Sequence, residues 1–124
     1  MKKILFFTFL PIALLFSYEE LTIDTFDNKI KDKNVIIDFY APWCPPCMVL
    51  SDNLKEFEKQ KPDNIHLFKV NISDELVLAK KYSVTKLPTL IYFKNGNVIK
   101  ETVGIKSVEQ LMETLNTDFN IEQK

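Results

Sequence analysis

Arginine is absent: all sixteen basic residues are lysines, set against seventeen acids, for a net charge of −1 over 124 residues. With no excess of positive charge, nothing points to nucleic acid or an anionic membrane surface as a partner. Histidine and cysteine are almost as scarce, one His (His66) and two Cys (Cys44 and Cys47). A structural zinc site needs four ligands, and these three fall short, so no metal is expected. Covalent haem attachment requires Cys-x-x-Cys-His, and position 48 is Met. Only two glycines occur, Gly96 and Gly104, and each is expected where a side chain is hard to accommodate. There is no low-complexity tract, and the length suits one domain.

Long apolar runs are also lacking. Ile4 to Phe16 is thirteen mostly apolar residues, broken by Thr8 and Pro11, whereas a membrane span needs about 20. Lys2 and Lys3 precede the run and Ser17-Tyr18-Glu19-Glu20 follows it. A charged start and a short apolar core match a secretory signal peptide. Ser17 is an acceptable residue before a cut, although Leu15 is not small. We therefore read residues 1–17 as a signal peptide, or else an uncleaved N-terminal anchor, and residues 18–124 as the domain. Cleavage removes two lysines and no acids from sixteen bases and seventeen acids, leaving a net charge of −3. Export places the domain in an oxidising compartment, where a cysteine pair is oxidised unless something reduces it.

What the chain does have is Trp43-Cys44-Pro45-Pro46-Cys47, with both cysteines at C-x-x-C spacing. Val35 to Tyr40, apolar and β-branched, reads as a buried strand ahead of it. Leu50, Leu54 and Phe57 recur at helical spacing after it. The sulfurs thus fall at a strand-to-helix junction, where unpaired N–H groups and the positive helix end favour a thiolate. The thiolate is the form that attacks disulfides.

Around this centre the remaining elements follow. Leu21–Ile23 reads as a short strand, and Asp24 as the cap of a helix to about Lys31. Pro62-Asp63-Asn64 ends the cysteine helix, and Ile65–Ile72 is strand-like. Ser73 is the expected cap of a helix to about Tyr82. Leu90–Lys94, Asn95-Gly96 and Val98–Val103 make a hairpin, and Ser107 with Gln110 makes a capping box for a last helix. The order β-α-β-α-β-α-β-β-α implies an α/β fold, with a mixed central sheet of four to five strands and helices on both faces.

Asp38-Phe39-Tyr40-Ala41-Pro42-Trp43-Cys44-Pro45-Pro46-Cys47 is similar to the D-F-W-A-x-W-C-G-P-C stretch of the thioredoxin family. Lys86-Leu87-Pro88-Thr89-Leu90 resembles the family's proline segment and Phe93-Lys94-Asn95-Gly96 its hairpin turn. Gly104 matches the glycine near the end of the last strand. The resemblance spans about Leu21 to Leu115. It implies the thioredoxin fold and thiol–disulfide exchange with no bound cofactor. There are departures. Pro45 stands where thioredoxin has glycine, and Met48 where it often has a basic residue. C-P-P-C is similar to the motif of exported or membrane-anchored reductants that serve cytochrome c maturation. Yet the stretch after the cysteine helix lacks their insertion, and there is no room for the inserted helical domain of the family's periplasmic oxidant.

The resemblance implies roles for particular residues. Cys44, expected to be the more exposed sulfur, attacks a substrate disulfide, and Cys47 resolves the mixed disulfide. The alternative, an inert staple, closes so small a loop that it stabilises little. Asp38 interrupts an apolar strand; burial should raise its pKa and let it take and return the Cys47 proton. The alternative is an edge-exposed or merely hydrogen-bonded Asp. Lys69 matches the family lysine near that carboxylate, against an ordinary surface lysine. Pro88 resembles the cis-proline facing the disulfide and presents the Leu87 backbone to an extended substrate. Trp43 covers the groove beside Cys44, against a plain core Trp. Gly104 completes the substrate-binding set, and His66 is structural.

The expectation is an exported, periplasmic, monomeric reductant of disulfide-containing protein substrates, recharged by a membrane electron donor because NADPH systems are cytoplasmic. Competing readings are a dedicated apocytochrome c reductant, a disulfide oxidant or isomerase, and a binding module that uses the groove without turnover.

Overall fold

A computed structural model describes residues 18–121. The expected signal segment, residues 1–17, lies outside the described residues. Five strands form one sheet in the order β1-β3-β2-β4-β5. They are β1 (Glu19–Glu20), β2 (Asn34–Tyr40), β3 (Ile65–Asn71), β4 (Thr89–Lys94) and β5 (Asn97–Val103). The β1–β3 and β2–β3 pairs are parallel; β2–β4 and β4–β5 are antiparallel. The helices are α1 (Ile23–Ile30), α2 (Pro45–Gln60), α3 (Leu76–Lys81) and α4 (Val108–Thr117).

Strand side chains alternate between the two faces, and here both faces are covered. On one, Ile36 of β2 with Leu90 and Tyr92 of β4 pack against Leu50, Leu54 and Phe57 of α2 and Leu111 and Leu115 of α4. On the other, Val35, Ile37 and Phe39 of β2 with Ile91 and Phe93 of β4 pack against Phe26 and Ile30 of α1 and Leu78 of α3. Double coverage explains why β3 alternates poorly in sequence: a strand buried on both sides reads as a nearly continuous apolar run. Asp38 occupies the register of Ile36, so it projects toward the α2 side. It pairs across the sheet with Lys69 on β3 and Leu90 on β4.

Three local expectations need correction. Leu21 is not in a strand; β1 is the two residues before it, and Leu21 is fully buried with its N–H donating to the Lys69 carbonyl at 2.8 Å. Thr22, not Asp24, caps α1: its N–H donates to Thr25 Oγ1 at 3.0 Å, which puts Asp24 in the first turn. Ser73 does not cap α3. Asn71 Oδ1 accepts from the Ser73 N–H at 2.9 Å, and its carbonyl accepts from the N–H groups of Asp74 and Glu75 at 3.1 and 3.0 Å. That Asx-type turn uses up Ser73 to Glu75, and the helix begins only at Leu76. The hairpin and the last helix form as read. Asn95 and Gly96 both take positive φ, and Ser107 Oγ accepts from the Gln110 N–H at 3.1 Å.

Candidate active site at the start of the cysteine helix

Cys44 is the N-cap of α2, followed by Pro45 and Pro46 in the first helical turn. Proline is well suited there because the first helical N–H groups have no partner within the helix. With both prolines lacking an N–H, the Cys47 N–H is the donor that reaches the Cys44 sulfur, at 3.2 Å. The first turn holds no acid. The positive helix end therefore acts on Cys44 Sγ with no acid in that turn to oppose it, an arrangement that favours negative charge on the sulfur.

Cys44 and Cys47 are joined by a disulfide, with Cα atoms 5.2 Å apart. Cys44 is the more exposed of the two, as expected, but by a narrow margin: the residues are 5% and 3% exposed. Ala41, with Tyr40, Ile72 and Leu87 packed around it, closes over the pair. A shallow groove alongside is lined by Trp43, Cys44, Pro45, Pro46, Ile72 and Leu87. Trp43 is 71% exposed, which removes the core-Trp alternative and leaves its indole standing at the groove. The Leu87–Pro88 bond is cis. Gly104 has φ +98, and its N–H donates to the Pro88 carbonyl at 2.9 Å. No atom lies within 4 Å of where a Gly104 Cβ would sit. Backbone conformation, not crowding, is what makes a side chain hard to accommodate here.

Behind the disulfide lies a cavity of about 200 Å³ whose walls include Tyr18, Asp38, Cys47, Ser51 and Lys69. Asp38 is 1% exposed, which disposes of the edge-exposed alternative. Burial pushes its carboxyl up to about 7; a hydrogen bond from Tyr18 and the charge of Lys69 pull weakly the other way. The Tyr18 hydroxyl lies 3.2 Å from Asp38 Oδ2, while Oδ1 has no partner among the described residues. Lys69 forms no ion pair with Asp38 within 4 Å. Its ammonium sits between two aromatic rings, 5.4 Å from the centre of Tyr18 and 5.5 Å from that of Tyr40. Lys69 is thus neither a free surface lysine nor a direct partner; its charge reaches the carboxyl across the cavity.

The structure brings Asp38, Cys44, Cys47, Trp43, Leu87, Pro88 and Lys69 to one end of the sheet, with Gly104 bonded to the proline loop. His66 is elsewhere, paired with Val35 and stacked on Phe68. No group of three potential metal ligands occurs among the described residues. Sequence reasoning missed Tyr18 and Ser51. Ser51 follows Cys47 by four residues, which puts both on one face of α2, and that spacing was the available signal. Nothing local marked Tyr18.

A paired C-x-x-C at a helix start, a buried carboxylate behind it and a cis-proline beside it form a dithiol–disulfide exchange centre. The thioredoxin family model matches residues 17–117. Thioredoxin of Bacillus subtilis (strain 168) is 34% identical over 95 residues, covering 77% of this chain and 91% of that one. Thioredoxin of Chlamydia pneumoniae is 35% identical over 96 residues, covering 77% and 93%. The crystal structure of Malassezia sympodialis thioredoxin superposes with a TM-score of 0.73 at 27% identity, covering 82% of this chain and 90% of that one. By fold, site and sequence the chain belongs to the thioredoxin family and is a thioredoxin-like dithiol–disulfide oxidoreductase.

Proposed function

We propose that the protein is an exported reductant of protein disulfides. The observation that carries the reading is the buried Asp38, with a carboxyl raised to about 7, in the same cavity as Cys47. In the reduced protein, the Cys44 thiolate attacks one sulfur of a substrate disulfide. A Cys44–substrate bond forms, the substrate S–S bond breaks, and its second sulfur leaves as a thiolate. The Cys47 thiol then gives its proton to Asp38 and attacks Cys44 Sγ. The Cys44–Cys47 bond forms, the mixed disulfide breaks, and Asp38 passes the proton on toward the departing thiolate. Two electrons move from the protein to the substrate, and Lys69 keeps Asp38 ionisable near neutral pH. An extended substrate chain lies in the groove between Trp43 and the Leu87–Pro88 loop.

Export is supported by Lys2, Lys3 and the apolar run Ile4–Phe16. A cut after Ser17 leaves Tyr18 as the first residue of a periplasmic, monomeric domain; retention of residues 1–17 anchors it instead. Recharging then falls to a membrane dithiol donor. A second reading, a reductant dedicated to apocytochrome c, rests on Pro45-Pro46 and predicts faster reduction of a Cys-x-x-Cys-His peptide than of insulin.

The deciding experiment is the reduction potential of the Cys44–Cys47 pair, by equilibration with glutathione and alkylation. Thioredoxin itself lies at roughly −270 mV and a strong periplasmic oxidant at roughly −120 mV, and about 30 mV is a tenfold change in equilibrium constant. A value near the reducing end is expected. One near the oxidising end makes the protein a disulfide donor or isomerase and overturns the reading.

A further inference from the structure

Tyr18 is almost fully buried, although it sits immediately before the exposed two-residue strand β1. Its ring joins the core under α2, and its hydroxyl lies 3.2 Å from Asp38 Oδ2 and 3.2 Å from Ser51 Oγ. A phenol has one proton and can accept as well as donate. While Asp38 is ionised, Ser51 donates to Tyr18 and Tyr18 donates to Oδ2. When Asp38 carries a proton on Oδ1, Oδ2 is a carbonyl oxygen that still accepts from Tyr18, more weakly than the carboxylate does. Oδ1 stays unpaired in the cavity that Cys47 also lines.

We infer that Tyr18, backed by Ser51, is a positioning residue for the exchange reaction: it holds one carboxyl oxygen of Asp38 and leaves the other for the Cys47 proton. The inference rests on the proposed role of Asp38. An unpinned carboxyl could rotate either oxygen into the cavity, whereas a hydrogen bond to Oδ2 selects one. The other titratable groups around the carboxyl are Lys69 from β3, Tyr40 from β2 itself, and Cys47, Asp52 and Lys55 from α2. Its neighbour on β4 is Leu90, which does not titrate. Among these groups, Tyr18 makes the hydrogen bond to Asp38. Burial raises the Tyr18 phenol well above its ordinary value, so it stays a neutral donor through the working range of Asp38.

The test is a titration of the Asp38 side-chain carboxyl by carbon NMR in the oxidised protein, for the parent, Tyr18→Phe and Ser51→Ala. Phenylalanine keeps the ring and removes the hydroxyl. A hydrogen bond to an ionised group is worth about one pH unit or more, so Tyr18→Phe should raise the Asp38 midpoint by about one unit. Ser51→Ala keeps the bond to Oδ2 and should shift it less. Loosening of the cavity alone would move both variants alike, and that outcome, or an unmoved midpoint in Tyr18→Phe, overturns the inference. A readout that needs no variant is the Tyr18 Cζ resonance of the parent protein, expected to inflect at the Asp38 midpoint; a flat line there also overturns it. The pH profile of insulin reduction should shift upward in Tyr18→Phe as the midpoint does. If Asp38→Asn leaves that profile unchanged, the role of Asp38 itself fails, whatever the titration shows.

Discussion

A carboxylic acid kept neutral by burial makes the fold less stable as the pH rises, and Asp38 allows the effect to be sized. Its pKa goes from the ordinary 3.8 to about 7 in the folded protein. Between those values the unfolded chain has released the proton and the folded protein still holds it. Folding is therefore favoured by a proton that the solvent supplies less readily at each higher pH. The stability associated with the neutral acid is fully present below the unfolded value and is lost as the pH climbs through about 7. Roughly three units at 1.36 kcal/mol each make the loss about 4 kcal/mol. Burial leaves little solvent to screen it. Asp38→Asn cannot ionise and keeps an oxygen for the Tyr18 hydroxyl. Urea midpoints of the oxidised parent and variant, followed by far-UV circular dichroism, isolate this one group because every other carboxyl titrates in both. The variant's advantage should grow between about pH 4 and pH 8, by roughly 2 M urea for a slope of about 2 kcal/mol per molar. An advantage that does not change with pH would mean that Asp38 ionises normally in the fold, and the assignment of a tuned proton carrier would fall with it.

Three further outcomes are expected. Cys47→Ser should accumulate a mixed disulfide with substrate through Cys44, seen as a stable mass adduct, and Cys44→Ser should form none; an adduct on Cys47 alone would reverse the assigned roles. Lys69→Met removes a charge that favours ionised Asp38, so the pH profile of insulin reduction should move to higher pH, and a move to lower pH would contradict the placement of the ammonium. Gly104→Ala meets no atom but must hold φ +98; the cost is the backbone penalty of about 1–2 kcal/mol, read as a lower urea midpoint, and a much larger loss would point to crowding instead.

Much of this architecture is written locally. The Val35–Tyr40 run, the Asn95-Gly96 turn and the Ser107/Gln110 box each carry their own instruction, because strand burial, hairpin twist and helix capping depend on near neighbours. Asp38 was legible as a misfit in an apolar strand, and Cys44 and Cys47 by their spacing. The misses are of two kinds. At Thr22 and Asn71 the cap or turn residue was one of several adjacent candidates, and side-chain geometry decided among them. At Tyr18 the decisive partners lie 20 and 33 residues away. No periodicity encodes that a hydroxyl ahead of the first strand meets a carboxyl in the central strand.

The pieces gathered at the disulfide's end of the sheet come from far apart in the chain: Tyr18 ahead of the first strand, Asp38 in the central one, Lys69 beyond the cysteine helix and the Pro88–Gly104 pairing near the end. An unfolded chain carries two ordinary thiols three residues apart, with no helix end, no carboxyl and no groove. Chemical competence therefore arrives only when the whole sheet has closed. Until then the molecule carries a pair of ordinary cysteines, and assembly of the sheet is the step that arms it.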